Sequence, residues 1–239
     1  MPPTPEPTAV LGLPVHLCSD YASWLRSRIE QGRGAHVVTL NAEMAVQSQH
    51  DAQLRQAIQQ ADLVVPDGSG LVGYLRWHHQ RQHRCPGIEL AAELLASVEE
   101  RQGEVACYGG APGVVDGAAR AWQRQLPSLS VLTAHGYLSA QAERAFCERL
   151  QARQPQLILV GLGSPRQEQW IARNRALCPN AVWIGVGGSF DVWAGTKARA
   201  PAWFRKHHLE WLYRFYQEPR RWRRMLTLPQ FAWQTLRGR

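Results

Sequence analysis

Few side chains in this sequence are both reactive and set where a ligand could reach them. Asp67 is the sharpest case. It follows the apolar run 63–65 and precedes Gly68. Its carboxylate can therefore face a cleft at a strand end and, partly desolvated, accept a proton from a hydroxyl nucleophile. The same Asp-Gly pair could do no more than make a turn. Asp191, in Gly187-Gly188-Ser189-Phe190-Asp191, can bind a ribose diol or cap the helix that follows. Tyr137, in His135-Gly136-Tyr137, can stack on a base or fill core.

The densest set of signals lies in residues 156–170, Q-L-I-L-V-G-L-G-S-P-R-Q-E-Q-W. The run 157–160 reads as a buried strand, which Gly161 and Gly163 break. Ser164 and Pro165 suit an N-cap and a first helical position. Gln167, three residues after Ser164, can close a capping box. A strand, a glycine turn and a helix N-terminus together present free backbone N–H groups and the positive end of the helix dipole to an anion. The plainer reading is a turn with no ligand, in which Gln167 only caps.

Absent motifs narrow the chemistry. No G-x-x-x-x-G-K-[ST] occurs, which argues against a P-loop NTPase. Neither Gly161-Leu162-Gly163 nor Gly185-Val186-Gly187 completes G-x-G-x-x-G, which weakens a nicotinamide reading. There is no H-E-x-x-H and no D-x-D, and His78, His79 and His83 read as the solvated face of a polar helix rather than as metal ligands. No metal and no cofactor is expected.

These residues need a frame. Strands are expected at 36–40, 63–65, 105–108, 129–133, 157–160 and 182–186, and helices near 20–31, 43–60, 69–82, 88–101, 113–125, 140–153 and 166–176. Regular alternation predicts an α/β fold, a mainly parallel, Rossmann-like sheet of about six strands covered by helices. Ligands in such sheets gather at the carboxyl ends of the strands. Every expected strand here ends in polar or glycine-rich residues, as a nucleotide-type cleft requires.

Charge divides the chain. Residues 197–239 hold eleven Lys/Arg and two acids, a net of +9, whereas 1–196 hold sixteen basic and seventeen acidic residues, a net of −1. The expected organisation is an α/β body over 1–196, with 1–9 as a loose proline-rich arm, and a basic, aromatic-rich, helical appendage over 197–239. Arginines interleaved with Trp, Tyr and Phe suit an anionic membrane surface, where rings sit at head-group depth and arginines meet phosphates. Arg214, Arg221 and Arg224 are candidates to reach over the cleft to a diphosphate, because a guanidinium fork matches phosphate oxygens. The alternative is an ordinary helix with buried aromatics and solvated arginines. The five cysteines form no C-x-x-C pair, consistent with a reducing compartment. The N-terminus lacks signal-peptide order, and no apolar run reaches the ~18 residues of a membrane span.

Taken in order, the motifs resemble the WecG/TagA/CpsF family of bacterial glycosyltransferases. The stretches are Thr39-Leu40-Asn41-Ala42, Pro66-Asp67-Gly68, Arg84-Cys85-Pro86-Gly87-Ile88-Glu89-Leu90, Gly109-Gly110-Ala111-Pro112-Gly113, His135-Gly136-Tyr137, Gly161-Leu162-Gly163-Ser164-Pro165-Arg166-Gln167-Glu168, Gly187-Gly188-Ser189-Phe190-Asp191, Arg199-Ala200-Pro201, Leu209-Glu210-Trp211-Leu212-Tyr213-Arg214 and Glu218-Pro219-Arg220. Each alone is weak; the ordered set, over roughly 36–224, is specific. Arg166, Cys85 and Glu89 stand where the family tends to have Lys, Val and Asp. The resemblance implies inverting transfer of an N-acetylhexosamine, of the N-acetylmannosamine or uronic acid type, from UDP to a polyprenyl-diphosphate-linked sugar at the cytoplasmic membrane face. It implies Asp67 as base and Thr39 and Asn41 on sugar hydroxyls. Gln167 would contact the donor, and Gly109, Gly110, Gly163, Pro165, Glu168, Tyr137 and Asp191 would surround UDP.

Two other classes compete. A basic nucleic-acid-binding protein explains the tail but not six functionalised strand ends, and it would show salt-sensitive retention on DNA. A nucleotide-binding oxidoreductase or epimerase explains the sheet and would copurify with NAD. The donor sugar, the pathway and whether the chain forms a homo-oligomer stay open.

Overall fold

The computed structural model describes residues 5–207, 209–217 and 226–237. Its centre is a six-stranded sheet, all parallel, in the order β4-β3-β8-β7-β5-β6. The strands are β3 (Ala35–Leu40), β4 (Leu63–Pro66), β5 (Glu104–Gly109), β6 (Ser130–Ala134), β7 (Leu157–Gly161) and β8 (Val182–Gly185). Each lies within one residue of its expected bounds. Short runs of Val, Leu and Ile between turn residues mark strands buried on both faces. Successive residues point to opposite sides of such a strand. Accordingly Val37 joins a core with Leu159, Ile184 and Cys107, whereas Val38 joins one with Leu40, Val64 and Leu71. A third cluster packs Ile158, Val160 and Trp183 with Phe146 and Trp170.

Helices cover both faces: α1 (Tyr21–Glu30), α2 (Ala42–Gln47), α3 (Ala52–Gln59), α4 (Ser69–Trp77), α5 (Gly87–Glu100), α6 (Val114–Gln123), α7 (Ala140–Arg153), α8 (Arg166–Asn174) and the short α9 (Ser189–Trp193). Beyond them come α10 (Ala202–Lys206), α11 (Glu210–Gln217) and α12 (Thr227–Arg237).

Three expectations are corrected. Residues 6–9 are not a loose arm, because β1 (Glu6–Val10) pairs antiparallel with β2 (Leu13–Leu17). Leu11 and Gly12, both at positive φ, form the two-residue turn, a geometry that matches strand twist. Val10, Leu13 and Val15 are fully buried beside Leu40 and Val64, so apolar burial outweighs the prolines. The single helix expected over 43–60 is two, because Asp51 caps α3 by accepting the Leu54 N–H at 2.9 Å. The helix expected over 69–82 ends at Trp77, where His79 turns left-handed. His83 therefore lies beyond that helix. The following segment is strapped to the residue just after β2 by buried Gln82, which donates to the Cys18 carbonyl at 2.8 Å and accepts its N–H at 3.0 Å.

Candidate active site

The carboxyl ends of all six strands of the large sheet open into one cleft of about 520 Å³. β3 brings Thr39 and Asn41, β4 Asp67, β5 Gly110 and β6 Tyr137. The turn after β7 brings Gly163, Ser164, Arg166 and Gln167, and the turn after β8 brings 186–189 and Asp191. Topology explains the location. β5 connects outward to β6, whereas β7 connects the other way to β8, so their loops part at the β5–β7 boundary. A crevice forms at such a switch point. Gly109 lets the two strand ends touch: its φ is +146° and a Cβ there would sit 2.4 Å from the Gly161 carbonyl oxygen.

Asp67 is half-buried in the turn between β4 and α4. Its N–H donates to the Leu40 carbonyl at 2.9 Å. Its Oδ2 lies 3.4 Å from the N–H of Gly87, the first residue of α5. The positive end of a 14-residue helix thus abuts the carboxylate. Beside it, Thr39 donates its hydroxyl to the Gly185 carbonyl at 3.0 Å, which leaves the oxygen's lone pairs as acceptors. Asn41 caps α2, its Oδ1 accepting the Met44 N–H at 3.0 Å, which leaves its NH₂ as donor. One wall therefore offers an acceptor, a donor and a carboxylate.

Gln167 makes no capping box. Pro165 occupies the N-cap position of α8, with no side-chain cap. The Gln167 carboxamide instead turns inward, 3% exposed. Its Oε1 accepts the Gly187 N–H at 3.0 Å, and its Nε2 donates to Glu168 Oε1 at 2.7 Å. The amide serves the β8 turn in place of its own helix end. Glu168, 1% exposed, lies behind Gln167. Burial pushes its carboxyl up to about 7, against smaller opposing contributions from Gln167, its own backbone and Ser164. Its Oε2 and the Ser164 hydroxyl are both buried, near enough for the hydroxyl to favour the carboxylate weakly but without good hydrogen-bond geometry to each other or to the other described residues.

The structure brings Asp67, Thr39, Asn41, Gly110, Tyr137, Gly163, Gln167 and Asp191 to the cleft wall. Tyr137 is 74% exposed at the rim and fills no core. Asp191 sits in the first turn of α9 rather than capping a following helix, and its carbonyl accepts the Thr196 and Lys197 N–H groups. Gly109, Pro165 and Glu168 do not line the cleft; of these, Glu168 backs Gln167. Arg214 belongs to α11; its side chain, and Arg221 and Arg224 altogether, lie outside the described residues.

Sequence reasoning gave no site role to residues 197–200, Glu210 and Gln217, which also line the cleft. Ion pairs hold this segment to the body. Glu210 meets Arg84 at 2.7 Å, both largely buried, and Glu89 meets Arg199 and, at 3.6 Å, Arg205. The available signal was charge complementarity between Arg84-Cys85-Pro86-Gly87-Ile88-Glu89 and the later Arg199 and Glu210. Removing one partner of a buried pair strands the other charge, at about 3–5 kcal/mol.

The model of the Glycosyl transferase WecG/TagA/CpsF family matches residues 8–239. A Bacillus spizizenii protein named N-acetylglucosaminyldiphosphoundecaprenol N-acetyl-beta-D-mannosaminyltransferase is 35% identical over 206 residues, covering 85% of this chain and 79% of that protein. Its Bacillus subtilis counterpart of the same name is 34% identical over 206 residues, covering 85% and 80%. One from Staphylococcus aureus is 36% identical over 205 residues, again covering 85% and 80%. With nearly its whole length matched and strand ends that converge on one polar cleft, the chain belongs to the WecG/TagA/CpsF family of glycosyltransferases.

Proposed function

We propose that this glycosyltransferase moves an N-acetylmannosamine-type sugar, with inversion, from UDP to N-acetylglucosamine carried on a polyprenyl diphosphate. The observation that carries the reading is the shared cleft of Asp67 and Gln167, fed by every strand of the parallel sheet. In the reaction the acceptor hydroxyl attacks the anomeric carbon from the face opposite UDP. The new C–O bond forms as the bond to the diphosphate breaks, and the hydroxyl proton passes to Asp67, acting as general base. Thr39 and Asn41, one accepting and one donating, orient sugar hydroxyls next to that carboxylate. Gln167, Gly110 and Gly163 lie on the donor side with Asp191 and Tyr137. There the α8 N-terminus and Arg166 supply positive potential for the diphosphate. Glu168 serves from behind, through Gln167.

The enzyme works at the cytoplasmic face of the membrane, where its acceptor is anchored. No helix among the described residues is long and apolar enough to cross a bilayer. The attachment proposed is peripheral. Residues 197–239, with their net of +9, supply it through anionic lipid, each basic residue adding roughly 1 kcal/mol near the surface. Arg214, Arg221 and Arg224 are the residues proposed to bind the acceptor diphosphate, since a guanidinium fork matches phosphate oxygens. The direct test is a screen of UDP-sugars for UDP release, with and without a short-chain lipid-linked N-acetylglucosamine. Release that needs both UDP-N-acetylmannosamine and that acceptor supports the reading, and acceptor-independent release, or none, refutes it.

A further inference from the structure

A second concavity, of about 240 Å³, lies on the surface between α4 and α12. Gly70, Gly73, Tyr74 and Trp77 form one side, and Leu228 and Phe231 the other. Apart from Tyr74, His78 and Thr235, whose side chains carry polar atoms, its lining is apolar. The rim stays apolar while facing solvent: Trp77 is 61% exposed and Leu236, at the far end, 51%. Contiguous exposed apolar surface of this kind marks a binding groove or a membrane contact.

Gly73 shows that the groove is kept open. A glycine in mid-helix lowers stability relative to alanine. Its φ is not positive, and among the described residues a Cβ there would meet nothing within 4 Å. Neither backbone conformation nor packing against the described residues calls for glycine at this position. What its missing side chain preserves is empty space along the groove.

The groove begins close to the cleft, across a packed seam. α4 begins two residues after Asp67. Gly70, in its first turn, faces both Ala42, next to Asn41 in the cleft wall, and Leu228 of α12. At 1.5 Å per residue, the nine residues of α4 carry an apolar track roughly 13 Å outward from the carboxylate loop. An acceptor whose sugar hydroxyl meets Asp67 must lead its hydrocarbon away from a polar cleft, and the near end of this track, Gly70, is three residues along the chain from Asp67.

We propose that the α4–α12 groove binds the proximal isoprenoid units of the lipid-linked acceptor, so that the enzyme reads the prenyl chain as well as the sugar diphosphate. The inference rests on the acceptor class proposed above. Burying methylene groups in such a groove makes chain length matter, since each contributes a several-fold gain in affinity.

The test compares kcat/KM for two N-acetylglucosamine diphosphate acceptors, one with a farnesyl chain and one with a methyl group. It uses the full-length chain, without vesicles and below the acceptors' aggregation concentration. The wild type should prefer the farnesyl acceptor by about tenfold or more. Gly73→Leu fills the groove from an open, helical position, and Gly73→Ala controls for the gain in helix propensity. Gly73→Leu should bring the farnesyl-to-methyl ratio to within about twofold of one, with Gly73→Ala between, and melting curves should show both folded. An unchanged ratio in Gly73→Leu, or no chain-length preference in the wild type, overturns the groove while leaving the acceptor reading intact. If Gly73→Leu loses flotation with anionic vesicles but keeps its ratio, the groove holds bulk lipid and the proposal is wrong. Failure of the wild type to use either acceptor removes the acceptor reading itself, and the groove proposal with it.

Discussion

The Gln167 carboxamide is locked from behind by Glu168: Nε2 donates to Glu168 Oε1 at 2.7 Å while Oε1 holds the Gly187 N–H at 3.0 Å. Each end of the amide has one assigned partner, so its flip state is fixed, and the second Nε2 hydrogen is the one left for a ligand. Removing this group takes a donor contact from the cleft and uncovers the Gly187 N–H. Gln167→Ala should raise the donor KM by about 3–10-fold, the scale of one lost hydrogen bond, and lower the melting temperature. If the variant melts earlier but handles donor normally, Gln167 is structural only.

The same pair makes stability depend on pH. Glu168 has its folded carboxyl pushed up to about 7 from an ordinary 4.5. Between those values the folded chain holds a proton that the unfolded chain has released, so this group's contribution to stability falls as pH rises through the window and levels off above 7. The scale is on the order of 3 kcal/mol. Buried His36, pushed down to about 4 mainly by burial, acts oppositely, favouring stability as pH rises through 4 to 6.5. The informative quantity is therefore the difference between wild type and Glu168→Gln, which keeps the neutral shape. Chemical denaturation at pH 5 and pH 8 should show the variant gaining on the wild type at the higher pH. A constant difference would contradict the assignment.

The last helix is part of the core. Phe231 on α12 is 3% exposed and packs with Leu71, Leu75 and Met44. Phe231→Ala should cost about 3–5 kcal/mol in denaturant unfolding, as large buried side chains do when truncated. A loss under 1 kcal/mol would mean that α12 is only lightly docked. Because of this contact, ending the chain near residue 196 would remove core along with charge, so the membrane role calls for substitutions instead.

Replacing Arg220, Arg221, Arg223 and Arg224 together with Ser removes four positive charges from the segment of net +9. Flotation with anionic vesicles should drop sharply, and more so at higher salt, because each charge adds roughly 1 kcal/mol. Unchanged flotation would place docking elsewhere.

Much of this was legible beforehand, for identifiable reasons. Buried parallel strands are short apolar runs ended by glycine, and 157–160 or 182–186 admit little else. Thr39 lies at the end of such a run, and Asn41 and Asp67 just past one, so the strand ends pointed to a shared cleft, while the sugar-binding role of Thr39 and Asn41 came from the family resemblance. The β1–β2 hairpin was hidden by its prolines, since burial of Val10 and Leu13 depends on partners far along the chain, Leu40 and Ile58. Sequence spacing does not distinguish a side chain on a wall from one behind it: of the neighbours Gln167 and Glu168 on α8, Gln167 reaches the cleft and Glu168 does not line it. Glu210 joins that wall through an ion pair with Arg84, more than a hundred positions away, and Lys197 through a local turn in which its N–H donates to the Asp191 carbonyl.

The central claim is that the Asp67 carboxylate takes the acceptor proton. The measurement that tests it most directly is turnover by Asp67→Asn beside UDP-sugar binding by the same variant. The substitution keeps shape and removes the proton acceptor. Transfer should fall by ~10²–10⁴-fold, as general-base losses do, while donor affinity stays within about twofold of wild type. Near-normal turnover by Asp67→Asn would contradict the account.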